Sequence, residues 1–327
     1  MLQVLACFSQ HGADGQKMIK DGQEVMIAPL PLYHIYAFTA NCMCMMVTGN
    51  HNVLITNPRD IPGFIKELGK WRFSGLIGLN TLFVALMEHP GFKSLDFSAL
   101  KVTNSGGTAL VKATAERWES LTKCRIVEGY GLTETSPVAS TNPYGQLARL
   151  GTVGIPVVAT AFKVIDDDGN ELPLGERGEL CIQGPQVMKG YWQQPEATAQ
   201  ALDSEGWFKT GDIAVIDPDG YTRIVDRKKD MIIVSGFNVY PNEIEDVVMA
   251  HPQVANCAAI GVPDERSGEA VKLFVVAREG GVSVEELKAY CKANFTGYKV
   301  PKHIVLRDSL PMTPVGKILR RELRDIA

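Results

Sequence analysis

Short apolar segments alternate with segments of helical periodicity between residues 53 and 129, and this alternation constrains the fold more than any other feature. The segments VLIT, GLIGL, LKVTNSG and CRIVEG predict strands over 53–56, 75–79, 100–106 and 124–129. The segments between them predict helices from about Ile61 to Trp71, through about Glu88 and up to about Thr122. Strands separated by helices favour a largely parallel sheet covered by helices, so we expect an α/β fold here.

The pattern changes near residue 150. FKVIDDDGNELP and ELCIQG predict strands around a turn, and Pro218-Asp219-Gly220 closes a predicted hairpin over 213–226. We therefore expect a barrel-like antiparallel subdomain. After the charged segment 226–230, strands and helices predict a compact α+β domain of ordinary size. The predicted divisions are thus 1–149, 150–226 and 227–327.

The composition is that of a globular protein and excludes several classes. Hydrophobic residues make up 45% of the 327 and charged residues 21%, which excludes a disordered chain. The net charge of −4 argues against a nucleic-acid binder that relies on bulk charge. From Arg227 on, 15 basic residues stand against 13 acidic ones, a balance that suits contact with phosphates.

The seven cysteines lie at scattered positions without a CxxC pair, so we expect reduced thiols rather than disulfides or a zinc site. The first residues lack the basic segment of a signal peptide, and no apolar stretch reaches the ~18 residues of a membrane span. We expect a cytoplasmic protein. Peripheral contact with a membrane and a homodimer both stay open.

Four short segments combine residue types that bind nucleotides. In NSGGTAL (104–110) the glycines would let backbone approach a ligand, and EGYGLTET (128–135) joins an aromatic ring, hydroxyls and a carboxylate able to hold Mg²⁺. In KTGDIAV (209–215) an aspartate could accept hydrogen bonds from ribose hydroxyls, and PVGKILRREL (314–323) offers a lysine as a point charge for phosphate. Taken singly, each is more often structural: a tight turn, a solvated carboxylate, a turn-forming aspartate or a solvated basic helix.

Taken in order, these segments resemble the adenylate-forming superfamily of acyl-CoA synthetases, luciferases and peptide-synthetase adenylation domains. The series is GYGLTET, TGD at 210–212, IVDRKKDMIIVSGFNVYPNEIE at 224–245 and GK at 316–317. The segments PLYHIYAFTAN, LITNPRDIPGFIKEL and GPQVMKGYW resemble bacterial long-chain fatty acyl-CoA synthetases in particular. The resemblance covers essentially the whole chain. It implies the superfamily's α/β fold with a barrel subdomain and a mobile C-terminal domain, and an ATP-dependent acid–thiol ligase that works through acyl-AMP.

The ligands implied by the resemblance are ATP, Mg²⁺, coenzyme A and a fatty acid. The nucleotide-binding positions in the first part of the chain would be Gly106, Gly107, Glu128, Gly129, Tyr130 and Gly131. Thr133 would contact phosphate and Glu134 would hold Mg²⁺. Asp212 and Arg227 would bind the ribose hydroxyls, and Lys317 would neutralise charge between the carboxylate and the α-phosphate.

The resemblance also implies a hinge and an acyl pocket. Rotation of the C-terminal domain about Lys229 would exchange the Lys317 loop for Ser235, Gly236 and Phe237, which would then line the path of the pantetheine arm. His34 would flank the acyl pocket together with Tyr36, Phe38, Leu79 and Asn80, and Phe38 would gate it. The alternative for His34 is a buried histidine with satisfied hydrogen bonds.

One superfamily feature has no match in the sequence, namely the Gly/Ser/Thr-rich phosphate loop that ends in Lys-Gly. In the superfamily it precedes a segment like MLQVLACFSQ, so we expect this chain to be a C-terminal portion that is weak or inactive in adenylation alone. We also expect exposed apolar side chains among residues 1–50. The alternative function is a non-catalytic module that binds nucleotide, coenzyme A or a partner protein. A third interpretation keeps the adenylation but changes the acceptor, as in carrier loading or luciferin oxidation.

Overall fold

The computed structural model describes residues 2–10, 17–313 and 316–326, so Met1, residues 11–16, residues 314–315 of the segment PVGKILRREL and Ala327 lie outside it. The chain divides into two compact units. The first comprises Met1–Thr210 and Val215–Ile224, and the second comprises Gly211–Ala214 and Val225–Ala327. The second unit therefore includes six residues that the sequence assigned to the barrel, 211–214 and 225–226. The divisions at 149/150 and 226/227 stay predictions.

A seven-stranded sheet forms the centre of the first unit. Its strands are β1 (Val25–Ala28), β2 (His51–Leu54), β3 (Gly75–Gly78), β4 (Val102–Ser105), β5 (Ile126–Gly131), β6 (Val138–Thr141) and β7 (Ile155–Pro156). They lie in the order β2-β1-β3-β4-β5-β6-β7. The first five pair in parallel, whereas β6 and β7 pair antiparallel. The predicted parallel α/β sheet is confirmed.

Helices accompany this sheet, and the last three of them are those that the periodicity predicted. They are α1 (Leu2–Phe8), α2 (Ile35–Ala37), α3 (Met45–Val47), α4 (Ile61–Leu68), α5 (Asn80–Glu88) and α6 (Lys112–Thr122). Helix α4 begins where the Asp60 carboxylate accepts a hydrogen bond from the Gly63 N–H at 3.0 Å, a typical N-cap. On the buried face of the helices, the Trp118 ring packs against the Phe83 ring with ring centroids 4.9 Å apart. Burial of such large rings is the main stabilising contribution of this core.

A π-helix spans Phe38–Cys44 between α2 and α3, a segment for which the sequence predicted no helix. Two hydrogen bonds join Asn41 to Asn52: the Asn41 Nδ2 donates to Asn52 Oδ1 at 3.1 Å, and Asn52 Nδ2 donates to the Asn41 carbonyl at 2.8 Å. Large apolar side chains are exposed around this segment, as expected for part of residues 1–50, at Tyr33, Phe38, Met46 and Val47.

A four-stranded sheet follows. Its strands are β8 (Ala161–Ile165), β9 (Arg177–Gln183), β10 (Phe208–Ile216) and β11 (Thr222–Arg227), in the order β11-β10-β9-β8, and α7 (Pro195–Ala201) precedes β10. β8 and β9 pair antiparallel. In the acidic turn between them, Asp166 Oδ1 accepts the N–H groups of Asp168 and Asn170, so this carboxylate serves the turn itself.

The α+β pattern predicted for the last part of the chain is present in the second unit. Its strands are β12 (Ile232–Val234), β13 (Phe237–Val239), β14 (Val254–Asp264), β15 (Gly268–Ala277) and β16 (His303–Leu306), and its helices are α8 (Pro241–Met249), α9 (Val284–Asn294) and α10 (Arg320–Asp325). The strand order is β13-β12-β15-β14, with β16 parallel to β15. Helix α9 begins with a reciprocal capping box between Ser283 and Glu286.

Within the described ranges, no helix is long and apolar enough to cross a membrane. The same ranges contain no group of three or more His, Cys, Asp or Glu residues placed to hold a metal ion. The seven cysteines are free thiols in the structure, and five of them are buried.

Candidate active site

The diglycine turn lies directly after β4, at the carboxyl end of a parallel strand. Gly107 has a φ of +85°, a left-handed conformation that favours glycine. A Cβ at Gly106 would lie 3.1 Å from the Tyr36 ring, so a larger residue there would push the ring by a few tenths of an ångström. The structure thus brings together one residue predicted to bind the nucleotide and one predicted to flank the acyl pocket.

Two hydroxyls beside the diglycine turn were missed by the sequence analysis. The side-chain oxygens of Ser105 and Thr108 are buried and have no hydrogen-bond partner within the described part of the chain. An unpartnered buried hydroxyl costs about 1–3 kcal/mol, so such groups are usually satisfied by a ligand or a water molecule. No periodicity or motif distinguishes them from ordinary strand residues, although both stand within the segment NSGGTAL.

His34 caps α2. Its Nδ1 accepts a hydrogen bond from the Tyr36 N–H at 3.3 Å, which requires the proton of a neutral imidazole to be on Nε2. Phe38 begins the π-helix and is 45% exposed. His34 and Phe38 therefore flank Tyr36 on one short segment, and their roles at an acyl pocket stay predictions.

Leu79 and Asn80 lie at the start of α5, after the carboxyl end of β3. Leu79 is buried, and Asn80 is 9% exposed. The Asn80 Oδ1 accepts a hydrogen bond from the Val111 N–H at 3.1 Å, at the position that precedes α6. This contact gives Asn80 a structural role, because it links the starts of two helices that follow neighbouring strands.

The β5–β6 connection carries the GYGLTET segment. Glu128 is 8% exposed, and its Oε1 accepts a hydrogen bond from the Gly151 N–H at 3.1 Å. Gly129 and Tyr130 pair with Thr141 and Ser140 of β6. A Cβ at Gly131 would overlap the Pro137 carbonyl, so the chain reversal that follows β5 requires a glycine there.

Thr133 and Glu134 lie on the 3-10 turn Thr133–Thr135. Thr135 holds this turn closed: its Oγ1 accepts the Leu132 N–H at 2.9 Å and donates to the Pro137 carbonyl at 2.6 Å. Thr133 is exposed and Glu134 is half-buried. The Tyr191 hydroxyl donates to Glu134 Oε1 at 2.9 Å, and the Met188 N–H donates to the Glu134 carbonyl at 2.8 Å. Partial burial, together with the Glu134 carboxylate, raises the pKa of Tyr191 to about 12.

Glu134 has the chemistry expected of a Mg²⁺ ligand in a nucleotide site. Such ions are usually held by one or two carboxylates together with phosphate oxygens and water. Since the Tyr191 hydroxyl occupies Oε1, Oε2 stays available as a ligand oxygen within the described part of the chain. A single partly exposed carboxylate therefore fits a cation that arrives with a phosphate chain.

In the second unit, the structure brings together Asp212, Arg227 and Lys317. Asp212 is 8% exposed, and its Oδ1 lies 3.8 Å from Arg227 Nε. Burial and the Arg227 charge lower the pKa of Lys317, while the Asp212 carboxylate opposes this effect. The Lys317 N–H donates to Thr313 Oγ1 at 3.0 Å, and the Thr313 N–H donates to the Lys317 carbonyl at 2.7 Å. One anionic and two cationic side chains thus form a group suited to hold both ribose hydroxyls and phosphate.

A buried charge network lies next to this group and was missed by the sequence analysis, which considered Arg320 only as part of a basic helix. Arg320 Nη2 lies 2.7 Å from both oxygens of Glu245 and 3.0 Å from Asn242 Oδ1. The Asn242 N–H donates to Asp226 Oδ2 at 2.8 Å. Burial raises the pKa of Asp226 to about 6 despite that hydrogen bond. The network joins the segment before Lys229 to the helix that follows Lys317.

The hinge and pantetheine positions lie on two separate turns of the second unit. Lys229 is exposed on the 3-10 turn Lys228–Asp230. Ser235 and Gly236 form the β12–β13 turn with φ values of +51° and +82°. The Phe237 ring is 55% exposed and stacks on Tyr298 with ring centroids 4.6 Å apart. The turn therefore presents exposed backbone and one aromatic ring.

Family models match both parts of the chain. The model described as AMP-binding enzyme matches residues 2–192, and the model described as AMP-binding enzyme C-terminal domain matches residues 243–317. The first of these alone covers more than half of the chain. It includes every candidate residue from His34 to Glu134, and the second includes Lys317.

Curated relatives and solved structures are similar along nearly the whole chain. A long-chain-fatty-acid–CoA ligase of Escherichia coli O6:H1 is 54% identical over 99% of this chain and 58% of its own length. One of Bacillus subtilis is 38% identical over 93% of this chain and 54% of its own length. The ATP-bound crystal structure of MatB from Rhodopseudomonas palustris is 29% identical with a TM-score of 0.86, over 99% of this chain and 62% of that one. The chain thus spans little more than half the length of the curated relatives it matches.

Proposed function

We propose a function for this chain from the premise that it belongs to the family of AMP-binding enzymes. The proposed reaction joins a long-chain fatty acid to coenzyme A at the expense of ATP, with acyl-AMP as intermediate. The observation that carries the proposal is the grouping of Asp212, Arg227 and Lys317 in the second unit. The substrate class comes from the relatives, which are named long-chain-fatty-acid–CoA ligases.

In the first step, a carboxylate oxygen attacks the α-phosphorus of ATP. An O–P bond forms, and the bond from the α-phosphorus to the bridging oxygen of pyrophosphate breaks. Lys317 supplies a positive charge between the two anionic reactants, and Asp212 and Arg227 hold the ribose. A preorganised charge of this kind contributes on the order of 10²–10³ in rate. When bound at Glu134, Mg²⁺ would neutralise charge on the phosphate oxygens.

In the second step, the sulfur of coenzyme A attacks the acyl carbon. A C–S bond forms, the bond to the AMP oxygen breaks, and the thiol loses its proton. The β12–β13 turn would line the pantetheine arm, because its exposed backbone at Ser235 and Gly236 leaves room for a thin chain. Exchange of the Lys317 loop for this turn would let one site serve both steps.

In the experiment, the purified chain is mixed with hexadecanoate, ATP, Mg²⁺ and coenzyme A, and the amounts of AMP, pyrophosphate and thioester formed are measured. Because the superfamily's phosphate loop has no match in this sequence, we expect the three products in equal amounts but at a low rate. We expect that rate to fall further in Asp212→Ala than in the control Asp325→Ala, whose side chain is exposed on α10. Binding of AMP and coenzyme A without any thioester would instead favour a non-catalytic module. Equal activity of the two variants would contradict the assigned role of Asp212.

A further inference from the structure

The segment GPQVMKGYW, which spans residues 184–192, contacts the turn that carries Glu134 at two points. The Tyr191 hydroxyl donates to Glu134 Oε1 at 2.9 Å, and the Met188 N–H donates to the Glu134 carbonyl at 2.8 Å. Gln186 adds a third contact nearby, because its Nε2 donates to the Val138 carbonyl at 3.3 Å. Both the backbone and the carboxylate of one residue are therefore held from a segment more than fifty positions away.

The Tyr191 backbone is itself held. Its N–H donates to Thr198 Oγ1 at 2.9 Å, and the Thr198 Oγ1 in turn donates to the Gln194 carbonyl at 2.9 Å on the first turn of α7. A Cβ on Gly190 would lie 2.8 Å from Thr198 Cγ2, so the close approach to the helix depends on a glycine. The backbone of Tyr191 is thus tied to a helix rather than lying on a free loop.

We propose that Tyr191 is a positioning residue that orients the Glu134 carboxylate toward a divalent cation bound with the nucleotide. The inference rests on the proposed function, in which Glu134 is a Mg²⁺ ligand. A neutral donor on one oxygen fixes the rotation of the carboxylate and leaves its charge available to the cation. Hydrogen bonds of this kind to a ligating side chain typically change metal affinity by about 10–100-fold.

The test measures the affinity of the chain for α,β-methylene ATP by calorimetry, with and without Mg²⁺. The variants are Tyr191→Phe, Glu134→Gln and the matched control Tyr290→Phe, which also loses one tyrosine hydrogen bond, to the Val247 carbonyl in the other unit. We expect Tyr191→Phe to weaken binding of the Mg²⁺ complex on the order of tenfold. Its affinity for the metal-free nucleotide and its unfolding temperature should match those of the control.

A double variant separates positioning from general damage. If Tyr191 acts through Glu134, then Tyr191→Phe has no further effect on the Mg²⁺-dependent gain once Glu134→Gln is present. Unchanged affinity for the Mg²⁺ complex in Tyr191→Phe, with the gain lost in Glu134→Gln, would overturn the inference while leaving the proposed metal ligand in place. A Mg²⁺-dependent gain that is absent from the wild type, or survives in Glu134→Gln, would overturn both.

Discussion

The charge network around Arg320 allows a quantitative prediction about the second unit. The Arg320 side chain is 17% exposed, and Glu245, its closest partner, is 14% exposed. Replacement by methionine in Arg320→Met keeps much of the apolar volume but removes the guanidinium, so the Glu245 charge stays buried without a cation. Breaking a buried pair in this way costs about 3–5 kcal/mol.

The lower end of that range is expected here. Glu245 Oε1 still accepts the Ala259 N–H at 2.8 Å, and Asp230, the second acid near Arg320, keeps its contact with Arg324 at 2.6 Å. A loss of about 3 kcal/mol corresponds to exchange of buried amides that is faster by roughly a hundredfold. The control is Arg321→Met, on the exposed side of the same helix, for which we expect less than about 0.5 kcal/mol.

The assay must report on the second unit specifically. All four tryptophans, at 71, 118, 192 and 207, belong to the first unit, so their fluorescence does not follow the second. Amide hydrogen exchange of the buried strand β15, measured by mass spectrometry, follows the second unit directly. The double variant Arg320→Met with Glu245→Met should recover most of the loss, because the Glu245 charge is removed together with its cation. Equal exchange rates for Arg320→Met and Arg321→Met would refute the reasoning.

Three further predictions follow from single positions. Lys317→Ala should lower the rate of fatty-acid-dependent pyrophosphate release by a factor of about 10²–10³, whereas its rate of thioester formation from supplied acyl-AMP should stay within a few-fold of the wild-type rate. An equal loss of both rates would contradict the exchange of loops. The pKa of Asp226 is raised to about 6 from 3.8, so ionisation of this carboxyl opposes folding. As the pH rises from 4 to 7, the free energy of unfolding of the wild type should therefore fall by up to about 3 kcal/mol relative to that of Asp226→Asn. Urea titration followed by amide exchange measures this difference, and a difference that does not change with pH would contradict the prediction. Gly131→Ala should lower the unfolding temperature of the first unit by several degrees, followed by tryptophan fluorescence. The control Gly69→Ala in the same unit, where a Cβ would come no closer than 3.7 Å to its neighbours, should change it little.

Local patterns predicted most of the regular structure. Each strand and helix named from periodicity between residues 53 and 129 is present with its ends shifted by a few residues. The π-helix at Phe38–Cys44 was not predicted, because an apolar run has the same composition whether its hydrogen bonds close after four residues or five. Strand β13 was also missed, since three residues after a tight turn carry too short a pattern.

In the candidate site too, local sequence patterns predicted some residues, whereas contacts between distant residues were not predicted. The motifs named Glu134 and Lys317, but not the pairs Tyr191 with Glu134 and Arg320 with Glu245, whose members are 57 and 75 positions apart. Such contacts depend on the tertiary fold, and periodicity along a single sequence carries no signal for them. The grouping of Asp212 with Lys317 was expected only because of the family resemblance.

The most direct test of the central proposal supplies the intermediate itself. The purified chain is mixed with coenzyme A and either hexadecanoyl-AMP or benzoyl-AMP, and thioester and AMP are measured over time. The proposed function predicts that hexadecanoyl-CoA and AMP form in equal amounts and much faster than benzoyl-CoA. Absence of hexadecanoyl-CoA, or equal rates for the two acyl groups, would contradict it.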